Sequence, residues 1–278
     1  MRDVDRLLIG TAGTPNSAKP RDTVAAIKRL KELDLDIMEL EYVRGTFPGE
    51  EKAREIAKTA KEYGIRLTAH GPYYINLNAD DPDKREASRK RVLNTAYFGG
   101  LSGAESITFH AGFFLGQPPE SVFITIKNEL SNLLKTINSF ENKVDISPEL
   151  TGKPTQFGSL EEILAISKEV EGIHPCIDWA HLYARTGVYN SASEFQSVLD
   201  SIRQTLGDSE LKRMHMHVSG IEYGDKGEKK HLSIKESDFN FQDLLKVLKD
   251  YEVCGFLICE SPSLEDDALL LKKYYETL

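Results

Sequence analysis

The sequence predicts a closed parallel (β/α)8 barrel that takes up the whole chain, residues 1–278, as one α/β domain. Short apolar runs alternate with longer amphipathic runs eight times, which is the pattern of strand-helix units around a parallel sheet. No Pro/Gly/Ser-rich linker and no low-complexity segment interrupts that alternation. Residues of metal-ligating type stand at or near the ends of six of the eight apolar runs: His70, His110, Glu149, Asp178, His217 and Glu260. In a closed barrel all strand C-termini meet on one face, so these side chains converge there. A doubly wound open sheet is the structural alternative. The even spread of the units and the ring of ligand types favour the barrel.

The strand-length runs are 7–10, 37–42, 66–70, 106–110, 143–149, 174–178, 213–218 and 255–260. Helical patterns fill the gaps at 23–33, 50–63, 84–98, 121–137, 160–170, 192–206, 241–248 and 264–275. The first reads TVAAIKRLKEL, with apolar residues near helical spacing. Asp22, Asp83 and Ser159 precede the first, third and fifth helices and are of the types that cap helix N-termini. The stretch 214–231, MHMHVSGIEYGDKGEKKH, reads as the end of a strand and a long loop folding back over the rim.

A chain of 278 residues suits one such barrel, and 40% hydrophobic content supports a core. No apolar run reaches the ~18 residues of a membrane span. The N-terminus lacks the basic-then-apolar pattern of a secretory signal, so the expected location is cytoplasmic with no membrane partner. Cys176, Cys254 and Cys259 are an odd set in apolar stretches and read as core residues rather than a disulfide framework. The formal net charge of −9 runs against a nucleic-acid partner. It does not exclude one, because cations bound in a carboxylate-rich cleft reverse the local sign.

A single strand-end histidine usually just hydrogen-bonds at the rim, and a strand-end carboxylate often caps a helix. Six in register are different: three carboxylates facing one another need a cation. Imidazole and carboxylate without thiolate suit zinc, manganese or iron. Adding His181, in the Asp-x-x-His step from Asp178, and His231 gives eight candidates, enough for two or three ions. His215 and His217 share a strand face. His217, nearer the strand end, is the expected ligand, and His215 lies one layer deeper.

Six segments, AHGPYYINL (69–77), FHAG (109–112), PELTG (148–152), CIDWAHLYA (176–184), MHVSG (216–220) and ICES (258–261), are similar in order and spacing to the motifs of endonuclease IV. That family comprises metal-dependent apurinic/apyrimidinic endonucleases with a TIM barrel and three zinc ions. The resemblance covers most of the chain. It implies that His70, His110 and Glu149 hold one ion. Glu149, Asp178, His217 and Glu260 would hold a second, with Glu149 bridging, and His181 and His231 a third. Glu149 and Glu260 become the candidate catalytic carboxylates. Tyr73 would enter the DNA at the lesion, and Arg44 would contact phosphate. The implied reaction is hydrolysis of the phosphodiester 5′ to an abasic site in duplex DNA, with no obligate protein partner.

One position departs from the family pattern. Its third site also takes an aspartate two residues before the histidine matching His231, and here that residue is Lys229. Glu228 and Asp225 are carboxylates nearby at the wrong spacing. The expectation is therefore two tightly held zinc ions and a weaker third, with manganese possible, and Lys229 free to contact DNA. A metal-dependent sugar isomerase or epimerase of the xylose-isomerase-like class is the alternative, since Glu149, Asp178, His217 and Glu260 also satisfy its ligand set. His110 and His231 are what such a one-metal site does not need. A silent DNA-damage binder with two ions is a third reading, supported by Lys229 alone.

Overall fold

A computed structural model describes residues 4–278. Eight parallel strands form one sheet: β1 (Leu7–Ala12), β2 (Ile37–Glu41), β3 (Arg66–His70), β4 (Ser106–Phe109), β5 (Asp145–Pro148), β6 (Cys176–Asp178), β7 (Met214–Val218) and β8 (Gly255–Cys259). Their spatial order is β5-β4-β3-β2-β1-β8-β7-β6. The two end strands meet through isolated parallel bridges, Ile146 to Ile173 and Glu149 to Cys176, so the sheet closes into a barrel. No helix among the described residues is long and apolar enough to cross a membrane.

The helices are α1 (Thr23–Glu32), α2 (Glu50–Tyr63), α3 (Pro82–Leu101), α4 (Pro119–Ile137), α5 (Leu160–Glu169), α6 (Trp179–Thr186), α7 (Ala192–Leu206), α8 (Phe241–Asp250) and α9 (Glu265–Thr277). They coat the barrel and bury aliphatic side chains against the outward strand faces, as Leu30, Leu40 and Leu67 illustrate. Gly10 lets β1 and β2 approach: a Cβ there would stand 1.7 Å from the Ile37 carbonyl oxygen.

Local signals explain most boundaries. Asp22 caps α1 by accepting from the Ala25 N–H, and Ser159 with Glu162 forms a full capping box on α5. The α3 cap differs from the expectation. It is Asp81, which accepts from the Asp83 and Lys84 N–H groups, and not Asp83. Pro82 sets this boundary, because its fixed φ suits the first helical position. The helix α6 was not expected either. It starts directly at the strand end, where the Asp178 side chain caps it by accepting from the His181 N–H at 2.7 Å.

Two small ribbons sit on the rim. Gly112–Phe113 pairs with Gln156–Phe157. The stretch read as a long loop is an antiparallel hairpin, Gly220–Gly224 with Gly227–Leu232, lying over the barrel mouth beside α6.

Candidate metal centre

Alternation along each strand decides what enters the barrel. Within β7, His215 and His217 point inward at successive levels, and both are fully buried. His217, at the upper level, turns Nδ1 toward Glu149 Oε1 (3.5 Å), Glu260 Oε1 (3.4 Å) and Asp178 Oδ2 (3.9 Å). His70 Nε2 is 2.9 Å from Glu149 Oε2, and His110 Nε2 is 3.3 Å from the same oxygen. Glu149 thus stands at the centre, one oxygen toward His70 and His110 and the other toward His217 and His181.

The ligand-type side chains fall into overlapping groups: His70, His110 and Glu149; Glu149, Asp178, His217 and Glu260; and Asp178, His181 and His231. All eight residues expected from the sequence are brought together. A further grouping of Cys176 with His215 and His217 lies deeper. Burial pushes the Cys176 thiol up to about 12, so it stays protonated and core-like.

These groups fit cations better than they fit one another. Glu149 Oε1, Asp178 Oδ2 and His217 Nδ1 are buried without a hydrogen-bond partner. Two donors on one tetrahedral zinc stand about 3.3 Å apart, given bonds of ~2.0–2.1 Å. The contacts of His110 with Glu149 (3.3 Å) and of His217 with Glu260 (3.4 Å) are close to that edge. The electrostatics show the same crowding. Burial tends to raise Glu149, but His110 and His217 beside it hold it well below the usual carboxylate range. Glu260 goes the other way, pushed up to about 7 by burial that His217 only partly offsets.

Two carboxylates on β2 were not singled out in the sequence. Glu39 is wholly buried beneath the site. Its Oε2 accepts from Thr68 Oγ1 (2.8 Å) and meets His215 Nε2 (2.9 Å), while Oε1 lies 3.0 Å from His217 Nε2 without an aligned hydrogen bond. His215 Nδ1 in turn meets Ser106 Oγ (3.0 Å). Glu41 pairs in register with His70, and burial pushes its carboxyl up to about 7. The signal was available: two acidic residues two apart within a strand buried on both faces.

The rim residues sort differently. Tyr73 is half-exposed, its ring 5.3 Å from that of His70. Arg44 is exposed on the loop after β2, with its carbonyl accepting from the Tyr74 hydroxyl (2.8 Å). Lys229 is exposed, its ammonium 3.7 Å from Glu222 on the hairpin. Glu228, discounted on spacing, instead reaches the site: its Oε2 is 3.6 Å from His181 Nε2. Arg185, also unremarked in the sequence, buries its guanidinium under the loop after β5 and donates to the carbonyls of Thr151 (3.2 Å), Lys153 (2.6 Å) and Gln156 (3.1 Å). That clamp fixes Gly152 beside the hairpin. The space above these groups is about 420 Å³, walled by Tyr73, Phe113, Lys153 and Gln156.

Comparison with known proteins places this architecture. Residues 27–274 match the family described as xylose isomerase-like TIM barrel. An uncharacterized protein of Methanocaldococcus jannaschii is 43% identical over 275 residues, 98% of each chain. A probable endonuclease 4 of Staphylococcus carnosus is 28% identical over 220 residues, 74% of this chain and 70% of that protein. One from Chlorobium phaeovibrioides is 28% identical over 155 residues, 54% of this chain and 55% of its own length. Among solved structures, endonuclease IV of Thermus thermophilus superposes with a TM-score of 0.74 at 18% identity, covering 97% of this chain and 100% of that one. D-psicose 3-epimerase of Clostridium cellulolyticum superposes with 0.69 at 13% identity, covering 96% and 98%.

Proposed function

The chain belongs to the xylose isomerase-like TIM barrel family, and within it we propose a metal-dependent DNA-repair endonuclease that hydrolyses the phosphodiester 5′ to abasic sites in duplex DNA. One observation carries this reading. Three overlapping donor groups share the mouth of the barrel, with Glu149 between two of them, which is more than a single-ion isomerase needs. The endonuclease 4 relatives support the same assignment.

His70, His110 and Glu149 are assigned to one ion, and Glu149, Asp178, His217 and Glu260 to a second. His181 and His231 are assigned to a third, with zinc the expected metal and manganese possible. When bound, such ions activate water, neutralise phosphate oxygens and stabilise the leaving alkoxide. The chain's own residues do the rest. Glu149 and Glu260 face the reacting centre as its carboxylates. Tyr73, half-exposed at the lip, fills the gap left by a missing base. An abasic nucleotide costs little stacking energy to extrude, so selectivity needs no reading of sequence. Arg44 and exposed Lys229 are assigned to phosphate contact on the outer rim, where they offset the net charge of −9.

A sugar epimerase is the second reading, favoured by the convergence of Glu149, Asp178, His217 and Glu260 and by the epimerase-like barrels. The two separate in one experiment. A labelled duplex carrying a tetrahydrofuran abasic analogue is incubated with protein and zinc or manganese, alongside a panel of ketoses. Incision 5′ to the analogue with no ketose turnover is expected. Ketose turnover without incision would replace the nuclease reading with the epimerase one.

A further inference from the structure

We infer that Glu228 is the carboxylate ligand of the third ion, in place of the residue at 229 that the resemblance to endonuclease IV implies. The inference rests on the multi-metal reading of the site and concerns which residue of this chain completes it.

The first observation is the arrangement of two imidazoles. His181 Nδ1 meets the Leu150 carbonyl at 3.2 Å, and His231 Nδ1 meets the Glu260 carbonyl at 3.3 Å. A proton on each Nδ1, donated to the carbonyl it faces, is the neutral tautomer in which Nε2 is free to ligate a cation. Those two Nε2 atoms face each other at 3.3 Å. That is about the separation of two ligands on one tetrahedral zinc. Glu228 Oε2 lies 3.6 Å from His181 Nε2 and lines the same cavity as both histidines.

The second observation explains how the wrong spacing becomes the right place. In a regular ribbon, residues two apart share a face, so 229 would lie on the side of His231. The hairpin is not regular. Its register runs Ile221 to His231, Glu222 to Lys230 and then Tyr223 to Glu228, leaving Lys229 as an extra, unpaired residue. Such a bulge re-aims the side chains beyond it. Glu228 therefore opposes Tyr223, whose ring packs on Tyr183 of α6, while Lys229 joins Lys230 and Glu222 on the outer face.

The third observation is the anchorage. The Glu228 N–H donates to the Gly152 carbonyl at 2.9 Å. A Cβ on Gly152 would stand 2.7 Å from Glu228 Cβ and 3.0 Å from His181 Cδ2. Gly152 is thus packed between the two residues assigned to one ion, and Arg185 holds its loop in place.

The test is metal content and affinity of the intact protein. Parent, Glu228→Gln, Glu228→Asp and Lys229→Asp are purified, loaded with zinc and measured by plasma mass spectrometry and by competition with a chromophoric chelator. Circular dichroism checks the fold. The parent is expected to hold three ions, Glu228→Gln two and Lys229→Asp three, with Glu228→Asp retaining the third at reduced affinity. Removing a direct ligand should weaken that ion by at least ~100-fold, the upper end of what loss of a mere supporting partner costs. A parent with three ions whose affinities Glu228→Gln leaves unchanged would overturn the inference and leave the multi-metal reading standing. A parent with two ions would overturn it, in favour of position 229 if Lys229→Asp gains the third. A parent with one ion or none, whatever the variant, would remove the multi-metal reading itself. Cobalt(II) substitution gives a readout independent of stoichiometry: a tetrahedral visible band in the parent should diminish in Glu228→Gln and persist in Lys229→Asp.

Discussion

The candidate metal centre has two kinds of wall. Six of its donors, His70, His110, Glu149, Asp178, His217 and Glu260, sit at or just past barrel strands, where the parallel register fixes each relative to the next. Glu228 and His231 come from a hairpin whose register slips by one residue. In the strand wall, identity follows from position along the strand. In the hairpin wall it follows from a bulge, and neighbouring residues exchange roles. The first wall is part of the barrel sheet, while the second belongs to a separate two-stranded ribbon.

The sharpest way to break this comparison is at the centre of the strand wall. Glu149→Gln should reduce abasic-site incision by more than ~10³-fold with circular dichroism unchanged, because an amide cannot neutralise two cations. Near-parental rates with full metal content would show that Glu149 is not the shared ligand. Gly152→Ala acts where the hairpin meets His181 of α6. Its methyl forces Glu228 and His181 apart, so one ion should be lost and the rate fall by about 100-fold, the cost of a misplacement near 1 Å. Loss of the other two ions as well, measured by mass spectrometry, would mean the two walls are not separable. Glu39→Gln tests the floor beneath the strand wall. Affinity at the second ion should fall by ~10–100-fold, with the hairpin ion unaffected in the same chelator competition. The smallest effect is expected from Tyr73→Ala, which touches neither wall. Its affinity for abasic duplex should fall by roughly tenfold, the low end of an aromatic-stacking loss of about 1–3 kcal/mol, at constant metal content. Equal binding of variant and parent in a gel-shift titration would reduce Tyr73 to a packing residue.

The same division separates what the sequence disclosed from what it did not. The eight strand-helix units were legible because apolar periodicity is local, and the strand-wall donors because each ends a recognisable run. Glu39 and Glu41 were passed over inside a run read as merely apolar, although burial on both faces makes an acidic residue there costly and therefore informative. Glu228 was in view but set aside on its spacing. Its neighbour Lys229 occupies the aligned position, and only the observed ladder reveals which of them faces inward. The cap at Asp81 was missed for a milder reason: competing cap types within two residues cannot be ranked until the chain path is known. At Trp179, Asp178 was read as a ligand and not as a cap.

The barrel's closure gives the site a second significance. Seven of the eight seams are continuous parallel ladders, but β5 and β6 touch only through two isolated bridges. One of those bridges is Glu149 to Cys176, and Asp178 stands two residues further along β6. An ion shared by Glu149 and Asp178 would therefore span the thinnest join in the hoop, as a clasp does. Loading the site would then also tighten the barrel, and removal of bound cations should loosen it first along that join, where the Leu150 and His174 amides cross it.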